Sequence, residues 1–527
     1  MGGYTSEQAH ELAGLSREIG RQIGLLIDRK GKPELVICGD PHGIFIPDLS
    51  RARRHKGRLR GLRLLHTHLK DEPLSQEDLM DMLFLRLDSL AALTVENDGA
   101  PGKIWMAHLM PANPEREPYS LQGPIPWDKV DLDFAAQAQA LEDEMAGVTG
   151  GVDPEVDPAA GKRDRAVLVS VSTQPQSAQE RSLDELRELC KTAGVEPAAA
   201  MIQRVRKVNP KFILGKGKLA DLEVMALQEN AGVIIFDQEL SPAQMRNLAH
   251  VTERKILDRT QLILDIFAQH ATTKSGKLQV ELAQLQYTLP RLVGRNRALS
   301  RLTGGIGGRG PGETKLELDR RKIRDRITKV KKDLKELRKR RKATRLRRAG
   351  AGLPVVALVG YTNAGKSTLL NTLTESKVLA ENKLFATLDP TTRRLRFPEE
   401  REIILTDTVG FIRHLPDELK EAFRATLEEL ESADLLIQVA DAGHPELEEQ
   451  IEAVDEILEG MNLGEIPRVI ALNKWDTLDE TARIIARDIH PKAVPTTATR
   501  RESLEPLVDE IMKRVFFANR LSHAEAN

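Results

Sequence analysis

A glycine-rich segment directly behind an apolar run restricts the fold of this chain more than any other feature. The run at 354–359 predicts a short buried strand, and a helical pattern follows at 368–374. The residues between them match the phosphate-binding pattern G-x-x-x-x-G-K-[ST], whose backbone N–H groups cradle phosphates at a helix N-terminus. The sequence therefore predicts an α/β domain with a nucleotide site. Its phosphate loop consists of Gly360, Tyr361, Thr362, Asn363, Ala364, Gly365, Lys366 and Ser367.

Two further elements follow apolar strands later in the chain. The first strand ends in Asp407, Thr408, Val409 and Gly410, and the second leads into Asn473, Lys474, Trp475 and Asp476. An acid at the first strand end can hold the Mg²⁺ shell through water, and the glycine N–H can contact the γ-phosphate. The carboxylate of Asp476 can accept two hydrogen bonds from guanine, whereas adenine offers no such donor pair. In this order the three elements predict a site for GTP.

A segment between the first two elements predicts a switch loop that senses the γ-phosphate. It contains Phe385, Ala386, Thr387, Leu388 and Asp389. From the residues alone, Thr387, Thr391 and Thr392 all remain candidates for a Mg²⁺ ligand. The last loop beside the base usually reads Ser-Ala-Lys. Here it reads Thr497-Ala498-Thr499, which leaves its base contacts open.

The residue types in these loops also predict how the reaction proceeds. Lys366 would neutralise the β- and γ-phosphates, and the Ser367 hydroxyl would ligate Mg²⁺. Phe411 stands where many small GTPases place a water-orienting glutamine, so intrinsic hydrolysis should be slow and depend on a partner or another residue. Asn363 either helps hold a K⁺ ion that substitutes for an arginine finger or only stabilises the turn. The sequence identifies no catalytic residue beyond phosphate stabilisation by Lys366.

The 527 residues are too many for one hydrophobic core, and the pattern of strands and helices predicts a multidomain α/β protein. A P-loop GTPase domain would follow an α/β N-terminal domain and a helical hairpin. The predicted segments are an N-terminal extension (1–146), a linker (147–163), the α/β N-terminal domain (164–274), a basic hairpin with a glycine-rich tip (275–350), the GTPase domain (351–517) and a tail (518–527).

The second helix of the hairpin is strongly basic. Residues 320–348 contain 17 Lys or Arg against three acids, a local charge of +14. Its apolar residues follow a 4, 3, 4, 3 spacing that predicts a seam against the first helix. A stripe of one charge sign repels itself unless a polyanion neutralises it. We therefore expect contact with nucleic acid or the ribosome rather than a merely solvated helix.

These motifs together resemble the HflX family of ribosome-associated GTPases. The resemblance rests on the phosphate loop, on the segments 384–393 and 407–412, and on four segments outside the GTPase domain: 209–218, 234–248, 257–271 and 308–321. It implies that Ser367 and Thr387 ligate Mg²⁺. It further implies binding to the large ribosomal subunit, with the hairpin reaching ribosomal RNA near the peptidyl-transferase centre. Members of the family are linked to splitting stalled or inactive ribosomes under stress.

The N-terminal extension lies outside that resemblance. Its residues His66-Thr67-His68, followed after six residues by Ser75-Gln76-Glu77-Asp78, look like the zinc signature of JAMM-type metalloproteases and their RadC relatives. Two histidines and an aspartate could bind Zn²⁺, but a glutamate would be needed as general base. The spacer between the histidines and Ser75 is one residue shorter than in that signature. The glutamate would belong at residues 20–24, and only Glu18 lies nearby in the sequence. We favour a degenerate, non-peptidase domain over an ordinary histidine pair at a strand end.

Composition limits the remaining possibilities. With only Cys38 and Cys190, neither a disulfide framework nor a cysteine zinc site is plausible. No apolar stretch approaches ~20 residues, and the N-terminus has no signal-like pattern, so we expect a cytoplasmic monomer without a membrane span. The favoured function is a GTP-driven factor for the large ribosomal subunit. A tRNA-modification GTPase and a zinc peptidase regulated by a GTPase are the alternatives.

Overall fold

The structure, a computed structural model, describes residues 4–47, 49, 59–111, 113, 115, 117–130, 132–148, 164–252, 254–292, 315–349, 353–374, 385, 391–397, 401–407, 410–411 and 430–517. The chain forms two compact units. The first comprises Met1–Cys190 and Gly194–Arg259, and the second comprises Lys191–Ala193 and Thr260–Asn527. Within the described ranges, no helix is both long enough and apolar enough to cross a membrane.

The first unit begins with a six-stranded sheet in the order β2-β1-β3-β4-β5-β6. Only β3 and β4 pair in parallel. Apolar residues of α1 pack on one group of strand residues, and those of α2 pack on another. The elements are α1 (Ser6–Ile19), β1 (Ile23–Asp28), β2 (Pro33–Cys38), β3 (Leu62–His68), α2 (Gln76–Leu85), β4 (Ser89–Val95), β5 (Pro101–Leu109), β6 (Tyr119–Pro126), a 3-10 turn (Trp127–Lys129) and α3 (Phe134–Val148).

An apolar run at 43–47 predicts a further strand, and this prediction is wrong. The Asp40 carboxylate accepts hydrogen bonds from the backbone N–H groups of His42 (2.7 Å) and Gly43 (3.0 Å). The backbone of this turn is thus satisfied locally by a side chain rather than by a neighbouring strand. A five-residue apolar run carries no sign of that competing turn.

The first unit also contains a four-stranded, fully parallel sheet in the order β10-β9-β7-β8. The alternation of strands and helices that the sequence predicts after residue 164 is therefore confirmed. The Ser241 hydroxyl caps the helix at Pro242–Val251, as the Ser-Pro pair at the start of this helix indicates. The elements are β7 (Arg165–Ser172), α4 (Gln176–Thr192), β8 (Glu196–Arg204), α5 (Lys216–Gln228), β9 (Val233–Phe236), α6 (Pro242–Val251) and β10 (Lys255–Asp258).

A pair of helices precedes the nucleotide domain in the second unit. After α7 (Arg259–His270), helices α8 (Lys274–Arg291) and α9 (Lys315–Ala349) pack along an apolar seam. Val330 and Leu334 of α9 are buried there, as the heptad spacing predicts. The glycine-rich segment predicted for the tip of the hairpin lies outside the described residues.

The nucleotide domain is a six-stranded sheet in the order β12-β13-β11-β14-β15-β16, parallel except for β12. Apolar runs such as Val355–Val359 form its buried interior because both faces of the sheet are covered. The elements are β11 (Val355–Val359), α10 (Lys366–Thr374), β12 (Thr391–Arg396), β13 (Glu402–Asp407), β14 (Leu435–Asp441), α11 (Leu447–Gly460), β15 (Arg468–Asn473), α12 (Glu480–Ile489), β16 (Val494–Pro495) and α13 (Glu505–Met512). Short 3-10 turns occupy Leu430–Ser432, Trp475–Thr477 and Arg501–Leu504, and a π-helical turn occupies Lys513–Phe517.

Candidate guanine-nucleotide site

The phosphate loop lies between β11 and α10, at the carboxyl edge of the parallel strands. Ligands of open α/β sheets bind at this edge. Gly365 has a φ of +97°, and a Cβ at this position would lie 2.2 Å from the Asn473 amide nitrogen. Asn363 has a φ of +61°, a left-handed conformation that asparagine tolerates better than most residues. The loop backbone therefore requires these residue types.

Lys366 lies inside the phosphate loop. Its ammonium group donates to the carbonyl oxygens of Tyr361 (2.7 Å) and Gly360 (3.1 Å). Burial lowers the pKa of this lysine to about 8, although the nearby Asp407 carboxylate acts in the opposite direction. A buried cation without a full counter-charge favours an anion beside it. Lys366 is thus poised to accept the charge of a bound phosphate chain.

The side chains that the sequence predicts beside Mg²⁺ are in contact. The Ser367 hydroxyl donates to the Asp407 carboxylate over 2.6 Å, and Asp407 is fully buried at the end of β13. A hydroxyl and a carboxylate are hard oxygen donors of the kind that Mg²⁺ prefers. These two residues therefore fit a Mg²⁺ site. Thr387, the other predicted ligand, lies outside the described residues.

Asn473 joins three loops of the site. Its Nδ2 donates to the Ala364 carbonyl oxygen (2.7 Å), and its Oδ1 accepts from the Ala498 backbone N–H (2.9 Å). The phosphate loop, the Asn473–Asp476 loop and the Thr497–Ala498 loop are therefore held side by side. Thr497 and Ala498 are themselves buried.

The base-reading segment has an acidic partner that the motif did not indicate. Lys474 adopts a φ of +58°, and its Nζ donates to the Asp441 carboxylate over 2.7 Å. Asp441 ends β14, so the only sequence signal was an acid at the carboxyl end of an apolar run. Asp476 is exposed within the short 3-10 turn that begins at Trp475. The guanine base of a nucleotide can therefore reach its carboxylate.

Phe411 pairs with the phosphate loop through its backbone. Its N–H donates to the Gly360 carbonyl (3.1 Å), and its carbonyl accepts from the Thr362 N–H (2.8 Å). The aromatic side chain is buried, and phenylalanine has no group that orients water. Gly410 beside it would place a Cβ 2.8 Å from the Thr362 Cα and 3.1 Å from the Lys366 Nζ, so a larger residue would collide with the phosphate loop. Thr408 and Val409 lie outside the described residues.

One residue of the predicted switch loop is described. Phe385 is buried with a φ of +58°, and its ring packs edge to face on Phe267 of α7 with centroids 4.7 Å apart. Packing against an aromatic ring stabilises this backbone conformation, which a bulky residue rarely adopts. Ala386, Leu388 and Asp389 are outside the described residues, so their predicted contacts remain predictions.

The three residues of the predicted N-terminal metal signature also converge. His66 and His68 on β3 and Asp78 on α2 offer ligand atoms that lie within 4.8 Å of one another, and all three side chains are buried. The sequence predicted this cluster from its resemblance to the zinc signature of JAMM-type metalloproteases. The absence of a general base therefore stays a prediction from the sequence.

Comparison with known proteins agrees with this geometry. Three family models match: GTP-binding GTPase N-terminal at residues 180–268, GTP-binding GTPase Middle Region at 270–348, and 50S ribosome-binding GTPase at 355–474. GTPase HflX of Caldanaerobacter subterraneus subsp. tengcongensis is 48% identical over 357 residues, 68% of this chain and 82% of that protein. GTPase HflX of Escherichia coli (strain K12) is 47% identical over 326 residues, 62% of this chain and 76% of its own.

A GTP-binding protein from the hyperthermophilic archaeon Sulfolobus solfataricus, solved in complex with GDP, is 26% identical and covers 66% of this chain and 98% of its own. Its TM-score of 0.36 is too low to support an argument about this chain.

The fold and the phosphate loop define a P-loop GTPase, an enzyme that binds and hydrolyses GTP. The extent and identity of the match identify the family. The chain belongs to the HflX family of GTPases, as the motifs predicted. The three matched models begin at residue 180, so they say nothing of the N-terminal sheet.

Proposed function

We propose that this GTPase acts on the large ribosomal subunit and contacts its ribosomal RNA through α9. The proposal extends to a cytoplasmic monomer that uses Mg²⁺ and splits or recycles ribosomes under stress, or assists their biogenesis. The observation that carries it is the exposed basic surface of α9. Apolar residues of the helix face α8, whereas Lys329, Lys331, Lys332 and Lys335 are exposed. The description of the family model at 355–474 supports the same partner.

The hairpin is suited to present this charge as a rigid unit. Besides the apolar seam, Arg326 of α9 forms two hydrogen bonds to the Glu281 carboxylate of α8, at 2.5 and 2.7 Å. Glu281 is the only acidic residue in the sequence of α8, whereas residues 320–348 contain 17 Lys or Arg against three acids. A phosphate backbone would neutralise such a surface and release counterions.

Reversing three charges, Arg338, Lys339 and Arg341 to Glu, should lower affinity for large subunits and flatten its salt dependence. Each lost phosphate contact reduces the slope of log K against log salt by roughly 0.7–0.9. Sedimentation with purified subunits at several salt concentrations measures both quantities. Reversal of Lys30, Lys32 and Lys70 in the N-terminal sheet changes the net charge equally and is the matched control. Equal losses in both variants would contradict a specific role for α9.

In this proposal hydrolysis is completed by the partner. Phe411 supplies no water-orienting group, so the free enzyme should turn over slowly and the ribosome should accelerate it. Ser367 and Thr387 would hold Mg²⁺, which would supply neutralisation of the phosphate charge. Lys366 would contribute to the same neutralisation from within the phosphate loop. The most informative experiment is cosedimentation with subunits in a non-hydrolysable GTP analogue, GDP and no nucleotide. Nucleotide-independent binding would contradict a GTP switch.

We also propose that Asn363 helps hold a K⁺ ion beside the phosphates. Replacing K⁺ by Na⁺ should then slow GTP hydrolysis, and Asn363→Gly should abolish that difference. Glycine tolerates the left-handed φ of this position, so the substitution removes the amide without straining the loop. Steady-state turnover in the two salts is the measurement. An unchanged K⁺ dependence in Asn363→Gly would assign the asparagine to turn stabilisation alone.

A further inference from the structure

The buried cluster of His66, His68 and Asp78 has the shape of a metal site. The two Nε2 atoms are 2.9 Å apart, and the Asp78 carboxylate oxygens lie 3.4 Å from the first and 3.5 Å from the second. Tetrahedral Zn²⁺ with bonds of about 2.0–2.2 Å separates its ligand atoms by roughly 3.3–3.6 Å. The three donor atoms therefore already stand close to the spacing that one zinc ion requires.

Hydrogen bonds from the surroundings hold two of the three ligands, His68 and Asp78, in that orientation. His68 Nδ1 donates to the Glu72 carbonyl oxygen (3.0 Å), which places the lone pair of the neutral ring on Nε2. The Ser75 hydroxyl donates to Asp78 Oδ2 over 2.6 Å and also caps α2. Metal-binding histidines and carboxylates are commonly held by outer partners of this kind.

A fourth polar group is buried on the same face of the sheet. Gln22 is 5% exposed, and its Oε1 accepts no hydrogen bond within the described structure. Its backbone continues β1 by pairing with Gly39 and Asp40. Gly24 pairs with His66 across β1 and β3, and continuing this register by two residues, one residue before the start of β1, would place Gln22 opposite His68. Directly opposed residues of antiparallel strands share a face. An unsatisfied buried oxygen in this position indicates a missing donor.

We infer that this cluster binds one Zn²⁺ through His66 Nε2, His68 Nε2 and the Asp78 carboxylate, with a water in the fourth position that donates to Gln22 Oε1. An amide oxygen accepts a hydrogen bond but does not take up a proton at neutral pH. Gln22 therefore cannot act as a general base toward the zinc-bound water. The inference assigns a metal to the N-terminal sheet, with an amide facing the bound water.

The test is metal analysis of the full-length chain after incubation with Zn²⁺ and removal of unbound ion. One equivalent of zinc per chain is expected, with X-ray absorption showing two nitrogen and additional oxygen neighbours at about 2.0–2.2 Å. The double variant His66→Ala, His68→Ala should lose the zinc. His108→Ala, at a half-buried histidine of β5 outside the cluster, is the matched control and should keep it.

Three outcomes would overturn the inference: a wild-type chain that retains no zinc, a double variant that retains as much as wild type, or absorption spectra dominated by sulfur. Because X-ray absorption uses the unaltered protein, failure of the double variant to fold does not block the test. Gln22→Leu should weaken zinc binding about ten- to a hundredfold, as loss of an outer partner does. GTP turnover is measured in parallel with the same proteins. Loss of zinc with unchanged turnover concerns the N-terminal cluster alone, whatever the outcome for the nucleotide site.

Discussion

Replacing Lys366 with alanine is expected to abolish measurable GTP hydrolysis, with a loss of at least about 100-fold. The ammonium group is buried against the phosphate-loop carbonyls of Gly360 and Tyr361, so alanine removes a positive charge from the loop that binds phosphate. Single-turnover assays with GTP and Mg²⁺ measure the effect. Lys492→Ala, at an exposed lysine of the same domain, should behave as wild type.

The same variant separates a lost function from a lost fold. Burial already lowers the pKa of Lys366 to about 8, which means that the folded, nucleotide-free protein is disfavoured by this charge. Alanine removes the charge, so the melting temperature without nucleotide should not fall. The rise in melting temperature that GTP and Mg²⁺ cause in the wild type should be absent in Lys366→Ala, because that rise requires nucleotide binding. Normal turnover in Lys366→Ala would overturn the assignment of the phosphate loop.

Asp476→Asn is expected to weaken GTP binding about 100-fold. Two charge-assisted hydrogen bonds to the guanine N1–H and exocyclic amine are affected, each contributing roughly 1.5–3 kcal/mol. In the variant, an amide N–H group faces the exocyclic amine, and two donors then oppose each other. Equilibrium binding of labelled GTP and competition with ATP measure the change in affinity and selectivity.

A base analogue provides the matched control. Xanthosine triphosphate carries a carbonyl oxygen where guanine carries the exocyclic amine, so the asparagine amide can donate to it. The variant should therefore bind xanthosine triphosphate more tightly than wild type does, while its phosphate contacts are unchanged. Equal weakening toward both nucleotides would point to a damaged loop, and unchanged GTP/ATP discrimination would count against a base-reading role for Asp476.

Much of this fold is predictable because its signals are local. An apolar run such as 354–359 must be buried, and a glycine-rich loop behind it has few structural alternatives. The basic α9 and its heptad seam are equally local, as is the spacing of His66, His68 and Asp78. Since each nucleotide motif follows an apolar strand, the sequence also indicates which loops meet at the carboxyl edge of the sheet.

Contacts between distant side chains are not predictable in this way. The pairs Asn473–Ala364 and Lys474–Asp441 join residues far apart in sequence, and no periodicity encodes them. Gln22 is a similar case, because only the register of β1 against β3 brings it near the histidines. The strand predicted at 43–47 is another such case. The Asp40 carboxylate accepts the His42 N–H, and this side-chain contact competes with pairing to a neighbouring strand.

The amide of Asn473 has a consequence for how the enzyme discriminates nucleotides. The Nδ2 of the amide is hydrogen-bonded to the phosphate loop, and its Oδ1 is hydrogen-bonded to the Thr497–Ala498 loop. A shift of either loop must stretch or break a bond to the other. The sites for the triphosphate and for the base are thus coupled through one amide, so saturating inorganic triphosphate should change the affinity for guanosine.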